Sequence, residues 1–155
     1  MKPLSVGSPL PAFRLSDQDK NFVDRTTLEG NPVLFSFHPL AWTSVCARQM
    51  EALEMNAETF AALGAMAFGV SVDAVPSKKA WAESLHLEKT RILSDFWPHG
   101  AFASALGLFR EDGGISERAA VIVDRNGIVR FIKVYPIAEV PNLEEQIEAL
   151  RELDS

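Results

Sequence analysis

Val33-Leu34-Phe35-Ser36-Phe37-His38-Pro39-Leu40-Ala41-Trp42-Thr43-Ser44-Val45-Cys46 reads as three pieces of local structure in succession. The first five residues form a short apolar run with branched and aromatic side chains, bounded by Pro32 and Pro39. Such a run predicts a buried strand. His38 to Trp42 is then a short loop, because Pro39 fixes its own φ and has no N–H to offer a neighbouring strand. From Thr43 the pattern turns helical and runs to Leu63, with Gly64 as its stop. Cys46, Met50, Leu53, Ala57 and Phe60 recur at alternating spacings of four and three, which is one face of that helix. Cys46 therefore belongs to the first turn and to the inward face.

Outward from this stretch, strands and helices alternate. Residues 12–15 and 21–23 read as a hairpin around Asp17-Gln18-Asp19-Lys20. Ala65 to Val72 is the next strand, Ser77 to Leu87 a helix capped by Ser77, and Arg91 to Leu93 a short strand. Pro98 to Leu106 reads as a helix, with proline near its start and Gly107 past its end. Ala119 to Val123 and Ile128 to Tyr135 are strands joined through Asp124-Arg125-Asn126-Gly127, where Asn-Gly is a strong hairpin signal. Asn142 to Leu153 closes the chain as an amphipathic helix with Leu143, Ile147 and Leu150 on one side. This order predicts a central mixed sheet flanked by helices, compatible with a thioredoxin-like α/β fold carrying an N-terminal β-hairpin extension. No repeat, low-complexity tract or linker interrupts it, so residues 1–155 are expected to form a single domain.

Composition narrows the function classes. Of 155 residues, 47% are apolar and 23% charged, as in globular proteins that bury a core without staples. Fifteen Lys and Arg against 21 Asp and Glu give a net charge of −6. That sign repels phosphate backbones and anionic lipid, so neither nucleic acid nor membrane is expected as a partner. The chain has one cysteine, which allows no intrachain disulfide and no multi-thiolate metal site. His86 and His99 share no ligand-like spacing with each other or with Cys46, so neither a metal nor a cofactor is expected. The start of the chain shows no signal-peptide pattern, and no apolar run approaches the roughly 18 residues a membrane span needs. A reduced, cytoplasmic enzyme is the expectation.

A lone cysteine is ordinarily a small buried hydrophobe. Three neighbours of Cys46 point elsewhere. The helix start offers a positive dipole end and unpaired N–H groups, both of which favour a thiolate. Thr43 lies three residues earlier, within reach of the sulfur or of a substrate oxygen beside it. Pro39 stiffens the loop and can shield the sulfur from water. Together these prepare a nucleophile.

The spacing Pro39-x-x-x-Thr43-x-x-Cys46, placed where a buried strand hands over to a helix, resembles the active-site motif of peroxiredoxins, thiol peroxidases on a thioredoxin-like fold. The resemblance extends over most of the chain. Val6-Gly7-Ser8-Pro9-Leu10-Pro11-Ala12-Phe13 is similar to the family's opening segment. Pro39-Leu40-Ala41-Trp42-Thr43, Leu93-Ser94-Asp95-Phe96-Trp97-Pro98-His99-Gly100 and Val123-Asp124-Arg125-Asn126-Gly127 look closest to the alkyl hydroperoxide reductase E branch, which is known for one-cysteine enzymes.

The resemblance implies that Cys46 attacks a peroxide and becomes a sulfenic acid. Arg118-Ala119-Ala120-Val121-Ile122-Val123-Asp124 matches the family pattern in which an arginine lies across the pocket from the sulfur. A guanidinium there would favour the thiolate and bond the peroxide oxygens; an exposed arginine after Glu117 is the plain alternative. Gln49 stands where the family often has Glu or Gln and would orient Arg118 or a neighbouring arginine, unless it is a solvated helix position. His38 departs from the aromatic residue common in that branch. It either bonds the sulfur or sulfenate, or packs at the strand end. Trp42 and Trp97 read as packing residues around the pocket or a subunit contact.

With no second cysteine to condense with the sulfenic acid, a low-molecular-weight thiol or a thioredoxin- or glutaredoxin-like redoxin must reduce it. Hydrogen peroxide, organic hydroperoxides and peroxynitrite are the implied substrates, and a homodimer the implied assembly. Two other classes stay open at this point: a peroxide-sensing, redox-regulated binding module, and an interaction domain with an inert thiol. A Cys-His hydrolase fits less well, because His38 precedes a rigid proline and has no acidic residue to orient it.

Overall fold

The computed structural model describes residues 2–153; Met1, Asp154 and Ser155 lie outside it. Strands β1 (Arg14–Ser16) and β2 (Phe22–Asp24) pair antiparallel as the expected hairpin, shifted slightly along the chain. The one-turn helix α1 (Arg25–Leu28) follows, started by Asp24, whose carboxylate accepts the Thr27 N–H. Next come β3 (Val33–Phe37), α2 (Ser44–Met55), α3 (Ala57–Ala62), β4 (Met66–Ser71), α4 (Val75–Ser84) and β5 (Arg91–Ser94). The remainder is α5 (Ala101–Ala105), the short pair β6 (Phe109–Arg110) and β7 (Ile115–Ser116), then β8 (Arg118–Val123), β9 (Val129–Tyr135) and α6 (Leu143–Glu152).

Seven strands form one mixed sheet in the order β2-β1-β5-β4-β3-β8-β9. β4 runs parallel to β3 and β5 parallel to β4, whereas β8 and β9 run antiparallel to their neighbours. With α2, α4 and α6, the strands β4, β3, β8 and β9 make the thioredoxin-like α/β arrangement, and the β1–β2 hairpin extends its sheet. Strand periodicity divides the core in two. Phe35, Phe37, Phe68, Val70, Val121 and Phe102 fill one side of the sheet. Leu34, Met50, Leu53, Ile92, Ile122 and Ile147 fill the other, together with Cys46. Helix α2 lies so close to β4 that a Cβ on Gly69 would collide with the Met50 sulfur.

Several element boundaries differ from the sequence expectation. The long helix breaks at Asn56, whose side-chain amide bonds the Ala52 carbonyl at 2.8 Å, so α2 and α3 are separate. Just before the break, the Glu54 carboxylate accepts the N–H groups of Glu88, Lys89 and Thr90 and ties the end of α2 to the start of β5. Helix α4 begins earlier than Ser77, because Pro76 suits a first turn and Ala74 takes the cap position. Helix α5 begins later than Pro98, because Asp95 accepts the N–H groups of Phe102 and Ala103 and fixes the start there. His99 consequently precedes the helix, its Nε2 lying 2.7 Å from the Gly114 carbonyl.

Candidate active site

Because β3, β4 and β5 are parallel, the loops that leave them emerge at one pole of the sheet. Antiparallel β8 starts at that pole with Arg118. Alternation along each strand then selects the face. In β3, Leu34 lies on the Cys46 side, and Ser36 and His38 follow at the same parity. In β8, Ala120 and Ile122 lie on that side, and Arg118 precedes them in step. With Phe37 opposite Ala119, the next position on each strand brings His38 and Arg118 to the same edge.

Cys46 is the third residue of α2 and has no exposed surface. Arg118 Nη1 donates to its sulfur at 3.3 Å and to Gln49 Oε1 at 2.7 Å, while Nε donates to the Ile137 carbonyl at 2.9 Å. Arg118 is only 3% exposed, so it is no surface arginine. Gln49 is equally buried, not a solvated position, and its amide donates to Ser36 Oγ at 2.7 Å and to the Phe37 carbonyl at 3.0 Å. One planar amide thus anchors in β3 and aims the guanidinium of β8 at a sulfur on α2.

Thr43 takes the cap position of α2, but its hydroxyl donates to the Leu40 carbonyl at 2.9 Å rather than accepting from a helix N–H or bonding the sulfur. Pro39 is buried. Asp73 holds the loop from the β4 side, accepting the Ala41 N–H at 2.8 Å and the Ser71 hydroxyl. Trp42 adopts a left-handed backbone with φ 68°, and its indole donates to Ser77 Oγ at 3.0 Å. Trp42 and Trp97 are 57% and 80% exposed, so neither is a packing residue within this chain.

His38 is fully buried against Trp81. Its ring nitrogens meet Ser36 and Lys78 rather than sulfur: Nδ1 lies 3.4 Å from the Ser36 carbonyl and Nε2 lies 3.4 Å from Lys78 Nζ. Burial, with the Lys78 charge beside it, keeps the imidazole well below its ordinary proton affinity, so it is neutral. Burial likewise brings Lys78 down to about 7, against the opposing pull of Asp73, Cys46 and Asp95.

Ser36, Asp73 and Lys78 escaped the sequence reading. Lys78 carried a faint signal, because it shares the inward stripe of α4 with Trp81 and Ala82. Among the described residues no group of three or more His, Cys, Asp or Glu side chains could hold a metal ion, and no helix is long and apolar enough to cross a membrane. What the pole presents is one thiol at a helix start, one guanidinium bonded to it and a buried polar network behind both. Such a site suits nucleophilic attack by sulfur on a small electrophile whose leaving group gathers negative charge.

The sequence model of the AhpC/TSA family matches residues 6–132. Alkyl hydroperoxide reductase E of Mycobacterium tuberculosis (strain ATCC 25618 / H37Rv) is 36% identical over 151 residues, 97% of this chain and 98% of its own. Chloroplastic peroxiredoxin Q of Suaeda salsa is 32% identical over 152 residues, 97% of this chain and 69% of its own. The solved structure of reduced 2-Cys peroxiredoxin from Plasmodium vivax superposes with a TM-score of 0.89 at 27% identity, covering 98% of this chain and 83% of that one.

Proposed function

The chain belongs to the AhpC/TSA family and is a thiol-dependent peroxidase, and we propose that Cys46 is its reacting sulfur, with Arg118 stabilising the charge that moves. The single observation that carries this reading is the 3.3 Å bond from Arg118 Nη1 to Cys46 Sγ in the first turn of a helix. The thiolate attacks one oxygen of the peroxide and its electron pair breaks the O–O bond. The departing oxygen takes up a proton and leaves as water or an alcohol, while the sulfur keeps the other oxygen as sulfenic acid. Arg118 bonds the sulfur before the attack and stays charged throughout, so its donors can follow the charge onto the leaving oxygen. Thr43 and Pro39 act through the loop: one ties its turn to Leu40, and the other, buried and without an N–H, fixes its course.

A low-molecular-weight thiol or a redoxin then attacks the sulfenic sulfur, releases water and forms a mixed disulfide that a second thiol opens. We assign the working form to a homodimer in the cytoplasm. The support for the dimer is the exposed apolar set Leu40, Trp42, Phe96 and Trp97 on two loops at the pole of Cys46. Adding one equivalent of hydrogen peroxide to reduced protein tests the function. Tryptophan fluorescence should change rapidly, and dimedone labelling with intact mass should find sulfenic acid at Cys46. No fast oxidation would overturn the reading. Sedimentation of the wild type against Trp97→Glu tests the dimer, which the variant should weaken.

A further inference from the structure

Lys78 has no exposed surface, a placement lysines avoid because burial strips water from the ammonium. Among the described residues no carboxylate lies within ion-pair distance of its Nζ, and the only hydrogen-bond contact of that atom is His38 Nε2 at 3.4 Å. The charged and titratable groups that face it come from four sides: Cys46 on α2, Asp73 after β4, Asp95 after β5 and His38 after β3, the last also under the field of Arg118. Both carboxylates are already engaged. Asp73 holds the Ala41 N–H and the Ser71 hydroxyl, and Asp95 holds the first N–H groups of α5.

The contact with His38 is part of a longer chain. Arg118 donates to Gln49, Gln49 donates to Ser36, the Ser36 carbonyl faces His38 Nδ1, and His38 Nε2 faces Lys78. Every member is buried. The Ser36 carbonyl can only accept, so Nδ1 carries the ring proton, Nε2 is an acceptor, and Lys78 is the donor. The chain thus has a guanidinium at one end and, at the other, an amine that ionises near neutrality. One end bonds the sulfur directly, and the other lies on the buried stripe of α4 that packs, through Trp81 and Ala82, into the same core cluster as Cys46.

We propose that Lys78 is a positioning residue of the peroxide reaction, a second buried cation that His38 holds in place and that stabilises the negative charge on Cys46 alongside Arg118. This rests on Cys46 being the reacting sulfur, and it deepens that reading by adding a charge from α4. The ammonium and the thiolate support one another: burial alone would neutralise Lys78, and the nearby anion opposes that.

The test uses the chain's lone cysteine. Below pH 10 the thiolate absorbance at 240 nm comes from Cys46 alone, because burial and Glu145 push the ionisation of the single tyrosine, Tyr135, upward. In Lys78→Met that absorbance should rise about one pH unit later than in the wild type, and oxidation by hydrogen peroxide at pH 7 should slow about tenfold. Lys78→Arg should recover both. A thiolate curve unmoved by Lys78→Met overturns the proposal. If Lys78→Met does not fold, the same coupling is read on folded protein by NMR of the Lys78 ε-methylene. Its titration midpoint should fall in Cys46→Ser, and an unchanged midpoint overturns the proposal. Neither titration uses peroxide, so a wild type that peroxide leaves reduced would defeat the peroxidase reading separately.

Discussion

Arg118 and Gln49 are joined by a 2.7 Å bond from Nη1 to Oε1, and that same nitrogen reaches the Cys46 sulfur at 3.3 Å. The amide can aim the guanidinium because its other end is fixed to Ser36 and Phe37. Gln49→Ala takes the partner from one buried donor, on Arg118, and from two buried acceptors, Ser36 Oγ and the Phe37 carbonyl, and should lower stability to urea by about 1–3 kcal/mol. It should also slow oxidation of Cys46, but only while Arg118 is present. In an Arg118→Ala background the further loss of rate should vanish; equal losses in both backgrounds would show that Gln49 does not act through Arg118.

Arg118→Ala removes the donor on the sulfur. By comparison with the loss of one oxyanion donor in other enzymes, the rate of peroxide oxidation should fall on the order of 10²–10³-fold. Stopped-flow tryptophan fluorescence with hydrogen peroxide measures this directly. An unchanged rate would remove Arg118 from the reaction.

The sequence contains no second thiol, so the oxidised protein cannot reset itself. With one equivalent of peroxide and no added thiol, intact mass should rise by one oxygen and turnover should stop after a single event. A small thiol or a redoxin should restore continuous turnover, and excess peroxide without thiol should drive Cys46 to sulfinic acid. Continuous turnover without any external thiol would contradict the scheme.

Lys78 also predicts a stability profile. Burial lowers its folded value to about 7 from an ordinary 10.5, so between those values the unfolded chain holds more protons. Stability therefore rises with pH across that window, and below it the whole burial penalty is present. Lys78→Met removes the penalty. It should stabilise the protein most near pH 6, on the order of 1–4 kcal/mol, with the gain shrinking toward pH 10. Urea unfolding at several pH values checks both the sign and the slope.

Much of this site was legible in the chain. The apolar run before Pro39 gives β3, the spacing of Cys46, Met50 and Leu53 gives the inward face of α2, and the Asn-Gly turn gives the β8–β9 hairpin. Resemblance to peroxiredoxins drew attention to Arg118 and Gln49, whose contacts composition alone could not supply. What stayed hidden depends on partners distant in sequence. Nothing in the apolar spacing marks Asn56, since Phe60 continues the same face. The start of α5 is set by Asp95. Ser77, suited to capping, is instead engaged by the Trp42 indole. Lys78 looks like any surface lysine until the fold buries it beside His38.

Glu54 moors the far end of α2 through three backbone N–H groups of residues 88–90. A bulky reductant can reach a sulfur with no exposed surface only if the polypeptide around it yields. The mooring decides where. With one end staked to β5 and Met50 pressed onto Gly69, α2 cannot lift as a rod. The yielding must be taken up by the loop and first turn, from Pro39 to Cys46. Each catalytic cycle would therefore fray one end of a helix whose remainder serves as its foundation.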